Sequence, residues 1–343
     1  MSASGIRFAV IGINHNHIFG QVDALLGAGG EFVSFFAQED DLAAPFKERY
    51  PQAERVHDAR RILEDESIVI VLSAAIPRDR ARIGIEVMRH GKDYMVDKPG
   101  MITLEELEEV RRVQKETGRI YSIFYSEHFS SRVTNKAGEL IRSGAIGKVV
   151  NTLGLGPHRL NAPIRPSWFF EREAYGGILT DIASHQCEQF LFYTGAKEAE
   201  ITYALVANRN NPQTPGLQDF GEMTLRSADA TGYIRVDWFT PDGLPIWGDG
   251  RVMIVGTDGT IEMRKYIDIA GREGKDHLFL VDKTGMRHLD CSNEDLPYGR
   301  DLLNDVRNRT ETAMGQEHCF KAMELTLKAQ ALAEAAPAGQ GAR

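Results

Sequence analysis

An α/β fold, with a parallel sheet in the first half and an α+β arrangement in the second, is predicted by three features. Short β-branched runs alternate with helix-period segments through the first 125 residues. The run Ile68–Ala75 is almost continuously apolar, as a strand buried on both faces of a parallel sheet requires. Beyond residue 126, several short strands separated by turn residues replace the alternation, and they point to antiparallel pairing.

Taken in order, Ile6–Ile13 reads as the first buried strand and Phe19–Leu26 as the helix after it. Glu31–Ala37 is a second strand, and Leu42–Tyr50 has helical spacing that stops at Pro51. After Ile68–Ala75 comes a helix, Arg80–His90, with Gly91 as its stop. Asp93–Val96 is a short strand broken by Pro99-Gly100. Thr103 with Glu106 three residues later reads as a capping box opening a helix through Thr117, which Gly118 ends. Arg119–Tyr125 closes this half. Strands and helices alternating in this way give a parallel sheet with right-handed crossovers, a nucleotide-type domain.

In the second half, helices are expected at Val133–Ser143 and Ile178–Thr194. Strands are expected around Lys148–Gly154, Ala199–Asn208, Gly221–Arg226, Thr231–Phe239, Val252–Val255, Thr260–Arg264 and His277–Asp282. Thr257–Thr260 and Asp282–Gly285 read as hairpin turns. One last helix is expected from about Asp301 to Ala335, and the Ala-, Gly- and Pro-rich stretch 336–343 as a disordered tail.

The chain has 343 residues, enough for about two domains, each with its own core. Hydrophobic residues make up 42% and charged residues 26%, which excludes a disordered acidic chain or a fibre. With 40 basic residues against 49 acidic ones the net charge is −9, which argues against a general nucleic-acid binder. Cys187, Cys291 and Cys319 are odd in number and far apart, so neither a disulfide framework nor a thiolate metal cage is indicated. No run approaches the ~18 apolar residues of a membrane span. The start, Met1 to Gly5, lacks the basic and apolar regions of a signal peptide. A soluble cytoplasmic protein is expected.

Three segments carry chemistry. The turn after the first strand reads Gly12-Ile13-Asn14-His15-Asn16-His17, so one glycine of a Gly-x-Gly-x-x-Gly phosphate loop is present. Asn and His side chains can donate to phosphate, yet the same turn serves in a fold that binds nothing. His15 and His17 could both face a cation, but no carboxylate or thiolate lies at a useful local spacing, so no metal is expected. Asp97-Lys98-Pro99 puts a lysine at the carboxyl edge of a parallel strand, where ligands of such folds sit. In Gly176-Gly177-Ile178-Leu179-Thr180-Asp181-Ile182-Ala183-Ser184-His185, Asp181 and His185 share a helix face. A carboxylate beside an imidazole suits proton transfer, although a surface ion pair would look the same.

Together these segments resemble the glucose–fructose oxidoreductase and inositol dehydrogenase family (Gfo/Idh/MocA). Its Glu-Lys-Pro motif is similar to Asp97-Lys98-Pro99, with Asp for Glu. Its Gly-Gly-Gly-x-x-x-Asp-x-Gly-x-His-x-x-Asp motif resembles Tyr175 through Glu188, with Tyr175, Ala183 and Glu188 as departures. Ala75-Ile76-Pro77 stands where relatives often have Thr-Pro-Asn, and Gly256–Ile261 resembles a late Gly-Thr-x-Gly-Thr turn.

The resemblance implies a Rossmann dinucleotide-binding domain over 1–125. A substrate-binding and oligomerisation α+β domain with a large, mainly antiparallel open sheet would follow over 126–335, its last helix packing back on the first. NAD or NADP would be held by Gly12, Ile13, Asn14, His17, Gln38, Ala75, Ile76, Asp97 and Lys98. Ala37 stands where many relatives carry a ribose-binding acid, with Gln38 and Glu39 after it and no arginine immediately beside it, which leans to NAD. Lys98, Asp181 and His185 would be the catalytic set. Tyr125, His128, His158, Arg165 and Trp168 would face a sugar, cyclitol or sugar-acid-like substrate. Tyr125-Ser126-Glu127-His128-Phe129 departs from the relatives' Tyr-x-Arg-Arg-Phe, so substrate choice should differ. A homodimer or homotetramer is implied, with no nucleic-acid or membrane partner. Two other readings share the fold: a non-catalytic NAD(P)-binding sensor, and a glycoside-cleaving enzyme that uses NAD transiently.

Overall fold

In the computed structural model, which describes residues 5–335, the first half of the chain alternates strand and helix as its periodicities require. The elements are β1 (Arg7–Ile11), α1 (His17–Gly27), β2 (Glu31–Phe36), α2 (Asp40–Arg49), β3 (Glu54–Val56) and α3 (Arg60–Leu63). They continue with β4 (Ile70–Ser73), α4 (Pro77–Arg89), β5 (Asp93–Asp97), α5 (Leu104–Thr117) and β6 (Tyr121–Phe124). The six strands form one parallel sheet in the order β3-β2-β1-β4-β5-β6. That order is the doubly wound dinucleotide arrangement, with its switch point between β1 and β4. β4, β5 and β6 are buried along their whole length, which for β4 explains the nearly continuous apolar run Ile68–Ala75. The Thr103–Glu106 capping box opens α5 and Gly118 closes it in the left-handed region. β3 and α3 were not expected, because three- and four-residue elements carry too little periodicity to detect.

The second half runs α6 (Ser126–Phe129), α7 (Arg132–Arg142), β7 (Val149–Pro157), α8 (Arg172–Tyr175), α9 (Ile178–Asp181) and α10 (Ala183–Thr194). Then come β8 (Glu200–Ala207), β9 (Phe220–Arg226), β10 (Thr231–Asp237), β11 (Arg251–Gly256), β12 (Gly259–Arg264), β13 (His277–Asp282) and β14 (Gly285–Asp290). Its eight-stranded sheet has the order β14-β13-β12-β11-β7-β10-β9-β8, antiparallel except for the β7–β10 pair. One face carries the core. Val133 and Ala137 of α7 pack on Val252, Ile254, Met263 and Leu278. α10 lies against β7, and a Cβ at Gly154 or Gly156 would come within 3.0 Å of Gln186 on that helix. The other face leaves Tyr203, Met253 and Val281 exposed.

Two expectations need correction. The helix Ile178–Thr194 is two pieces, α9 and α10, joined at Ile182, and the Asp181 carbonyl accepts from Ser184 Oγ. The single last helix is also two, α11 (Tyr298–Asn308) and α12 (Gln316–Ala335). Between them Arg309 takes a left-handed backbone, and the Asp305 carboxylate accepts from Thr310, Thr312 and Ala313. Asp, Thr and Gly clustered at 305–315 carried that break, but helix spacing on either side masked it. The expected tail 336–343 lies outside the described residues.

By internal contacts the chain divides into two units. Among the described residues, one comprises those up to Phe124 with Pro297–Phe320, and the other Tyr125–Leu296 with those from Lys321 to Ala335. In the first, a Cβ at Gly299 of α11 would lie 2.3 Å from the Ala24 carbonyl of α1, so the returning segment packs tightly. Among the described residues, no helix is long and apolar enough to cross a membrane.

Candidate functional site

In the first unit the turn after β1 crosses the carboxyl ends of β2 and β4. Gly12 N–H donates to the Phe36 carbonyl, and Gly12 O accepts from Ala74 N–H. Gly12 has φ +85°, and a Cβ there would lie 2.6 Å from the Ala75 Cβ, so both conformation and space demand glycine. Beside it opens a cavity of about 310 Å³ lined by Gly12, Asn14, Gln38, Ala75 and Ile76, five of the nine residues expected to hold a dinucleotide. Glu39, Asp79 and Arg82 line it too. Asp79 and Arg82 come from α4, and nothing in their local pattern pointed there. The sequence neighbourhood of Ala37 lacks arginine, but Arg55 of β3 reaches its carbonyl at 3.1 Å and pairs with Asp40 at 2.7 Å.

The start of α1 is satisfied from within. His17 N–H donates to His15 Nδ1, Ile18 N–H to His15 O and Phe19 N–H to Asn16 O. The first helical turn thus has its own partners, and the side chains beside it are engaged as well, Asn14 Nδ2 donating to Glu39 at 2.9 Å. Because His15 Nδ1 accepts an N–H, its ring proton sits on Nε2. Burial, and then the charge of His17, hold His15 well below the usual imidazole range.

Asp97 ends β5 fully buried, with His17 Nδ1 at 2.9 Å and Arg80 Nη2 at 3.1 Å from its two oxygens. Burial alone would raise its pKa, but the charges of His17 and Arg80 hold it far below the ordinary carboxylate range. Asp97 thus supplies the carboxylate that the local sequence around His15 and His17 lacks, and donor atoms of the three lie within 4.8 Å of one another. Arg80 and the His15 hydrogen bond already engage two of those donors, and a cation would meet the guanidinium, so the donor set does not favour a metal. Arg80 also donates through Nε to the Ala75 carbonyl, and through Nη1 to those of Asp97, Lys98 and Pro99. The backbone of Lys98 is therefore clamped, and its side chain is buried. The Lys98-Pro99 peptide is cis.

In the second unit, β7 and β10 lie side by side and parallel, delivering His158 and Trp238 at their carboxyl ends. His158 N–H donates to Asp237 O, and Arg159 N–H to Trp247 O, lacing two loops together. The His158 ring lies 5.3 Å from Trp238 and 4.6 Å from Trp247 between centroids. Arg165 places its guanidinium 4.3 Å from the centre of the Phe169 ring and 5.2 Å from that of Trp238. Trp168 is buried beside Phe169. Asp181 and His185 are buried, and Tyr125 meets the His185 ring edge-on at 6.3 Å.

Glu127 is a buried carboxylate that takes Lys265 Nζ and Gln186 Nε2 on one oxygen. Burial opposes its charge, yet Lys265, His185 and His158 together hold its pKa down to about 2. Lys265, 1% exposed, and Gln186 were not expected here, since a lysine in a strand-to-loop segment reads as surface. His128 is committed elsewhere. Its Nδ1 pairs with Glu188 at 2.9 Å and its ring packs on Phe192, so it belongs to a buried polar pair rather than to the Arg165–Trp238 group.

The first unit fits a dinucleotide, on the Gly12 cradle and the cavity beside it. Comparisons with known proteins agree. Residues 6–125 match the oxidoreductase family with an NAD-binding Rossmann fold, and residues 134–262 match the GFO/IDH/MocA C-terminal domain. Over 180 residues the chain is 27% identical to scyllo-inositol 2-dehydrogenase (NADP(+)) IolW of Bacillus subtilis (strain 168), covering 52% of this chain and 48% of that protein. It is 27% identical over 143 residues to D-xylose dehydrogenase of Paenarthrobacter nicotinovorans, covering 40% and 37%. The chain thus spans about half or less of the length of these relatives. A crystal structure from Erwinia carotovora atroseptica SCRI1043 superposes with a TM-score of 0.93 at 42% identity, covering 96% of this chain and 98% of that one. Levoglucosan dehydrogenase in complex with NADH shares the fold, with a TM-score of 0.78 at 19% identity and 96% of both chains covered. Matched in both halves, the chain belongs to the Gfo/Idh/MocA oxidoreductase family.

Proposed function

We propose that the protein is an NAD(P)-dependent oxidoreductase acting on a secondary alcohol or ketone of a sugar, cyclitol or sugar acid. The observation that carries this reading is the clamped Lys98 at the carboxyl end of β5, in the same unit as the Gly12 cavity. The first unit would serve the cofactor, with Gly12, Asn14, Gln38, Ala75 and Ile76 around it. The second would serve the substrate. A nicotinamide cofactor held by the first unit would supply the acceptor or donor of a hydride.

The remaining work is proton handling. His185 accepts the proton of the substrate hydroxyl, and the negative charge of Glu127 stabilises the imidazolium that results. The Lys98 ammonium donates to the same oxygen and stabilises the alkoxide as it develops. Asp181 orients the substrate hydroxyl or the histidine. Reduction runs these steps in reverse. We further propose NAD as the preferred form, because Glu39, Asp79 and Glu86 outnumber Arg82 in the cavity lining and would oppose a 2′-phosphate. The exposed apolar residues of the eight-stranded sheet support a homo-oligomer.

Titrating the protein into NADH and NADPH and following nicotinamide fluorescence tests the reading, together with turnover of Lys98→Ala and His185→Ala. The expected result is tighter NADH binding, retained in both variants, with turnover lost. Failure to bind either nucleotide, or wild-type rates in both variants, overturns it.

A further inference from the structure

The most unusual cation of the second unit is Arg165. Its Nε donates to the Leu160 carbonyl at 2.9 Å, and Nη2 reaches the Arg159 carbonyl at 3.4 Å. Its guanidinium also rests against Phe169 and Trp238. Among the described residues no carboxylate lies within ion-pair distance of it, and its Nη1 has no protein partner. Two other arginines of this unit, Arg172 and Arg251, are neutralised directly, by Glu334 and Asp249. A guanidinium held by rings and carbonyls is partly stripped of water without a counter-charge, an arrangement that disfavours the ion until an anion arrives. Its lowered pKa, caused by burial and offset in part by the field of Asp181, has the same origin.

A second observation lies against the same ring system. Trp238 is 7% exposed, and its Nε1–H has no hydrogen-bond acceptor among the described residues. A buried indole N–H left unpaired is costly, so such a group calls for an acceptor. His158 packs on the same indole, and its Nδ1 is fixed as a donor by the Gly156 carbonyl at 3.0 Å. With a net charge of −9 on the whole chain, attraction of an anion has to be built locally.

We propose that Arg165 and Trp238 form an anion subsite that receives a carboxylate of the substrate, so that the substrate is a sugar acid rather than a neutral sugar. This deepens the dehydrogenase reading and rests on it. The fork of a guanidinium matches the two oxygens of a carboxylate. Asp181, close enough to act on Arg165 through its field, disfavours a dianion, so a carboxylate is preferred to a phosphate ester.

The test measures binding to the NADH-loaded protein by tryptophan fluorescence and calorimetry. D-Galacturonate, D-glucuronate and D-gluconate are compared with D-galactose, D-glucose and D-glucose 6-phosphate. At least one acid should bind about 10- to 100-fold more tightly than its neutral counterpart, the range that a charged hydrogen bond provides. Arg165→Met should abolish that ratio and Arg165→Lys retain part of it. Arg159→Met removes a guanidinium that ties the Pro241 and Leu244 carbonyls, so it should lower thermal stability but leave the acid-to-neutral ratio in place.

Equal binding of acids and neutral sugars, an acid preference that survives Arg165→Met, preference for the phosphate ester, or no acid bound overturns the subsite. Oxidation of neutral sugars with no acid preference would sink the subsite and leave the dehydrogenase reading intact. Arg165-dependent acid binding by a protein that binds neither nucleotide would do the reverse.

Discussion

Arg80 Nη1 donates to the carbonyl oxygen of Lys98 at 2.6 Å, while Nη2 of the same guanidinium holds Asp97. One buried side chain therefore sets both the backbone of the proposed catalytic lysine and the carboxylate that faces His17. Arg80→Lys keeps a positive charge but cannot fork across three carbonyls and a carboxylate. Displacing a reacting group by about 1 Å can cost about 100-fold in rate, so kcat should fall by that order while the Kd for NADH changes little. Steady-state kinetics beside nucleotide titration checks this, and unchanged kcat would remove Arg80 from the positioning of Lys98.

The Glu127–Lys265 pair is the second unit's most deeply buried ion pair with a proposed role. Glu127→Gln would leave Lys265 without its counter-charge at almost no exposure, a change expected to cost about 3–5 kcal/mol of stability. Pairing it with Lys265→Met should recover much of that loss, as denaturant unfolding of the single and double variants would show. Both variants equal in stability would contradict the pairing.

The same pair predicts a pH dependence. The Glu127 pKa is lowered in the fold, from its ordinary value of 4.5 to about 2, so the folded state favours its ionised form. Its contribution to stability is complete above pH 4.5 and is lost as the pH falls from there towards 2. Thermal midpoints measured between pH 6 and 3 should decline less steeply in the double variant than in the wild type.

Gly12→Ala tests the cradle. The left-handed backbone and the 2.6 Å approach to Ala75 both penalise a methyl group, so a loss of about 1–3 kcal/mol is expected. Nucleotide affinity should fall with it, and an alanine variant as stable and as tight as the wild type would deny the glycine its role.

Much of this architecture is legible before any coordinates. β4 announces itself because burial on both faces forces an apolar run, and α5 because its capping box is a local device. Gly12, Lys98, Asp181 and His185 are visible for a similar reason, since each belongs to a short contiguous motif. What the chain hides is partnership at a distance. Asp97 and His17 are 80 positions apart, and Glu127 and Lys265 are 138 apart, so neither pair leaves a spacing to read. His128 is a further case of partnership at a distance. Its ring pairs with Glu188, 60 residues on, and no local spacing announces that partner.

His15 offers the sharpest local test. Its Nδ1 accepts the His17 N–H, and burial keeps its pKa well below 6.5, so the ring should remain neutral with its proton on Nε2 through the physiological range. A histidine whose folded pKa is lowered contributes stability that is complete above its unfolded value and lost as the pH falls below it. His15 should therefore favour folding fully above pH 6.5 and progressively less below. Nitrogen-15 chemical shifts of the imidazoles between pH 5.5 and 8 report tautomer and charge directly. The Nε2–H form is expected throughout for His15, with the Nε2 signal moving when NADH is added. An imidazolium at pH 6.5 would mean that the histidine turn binds its anion by charge rather than by a fixed neutral donor.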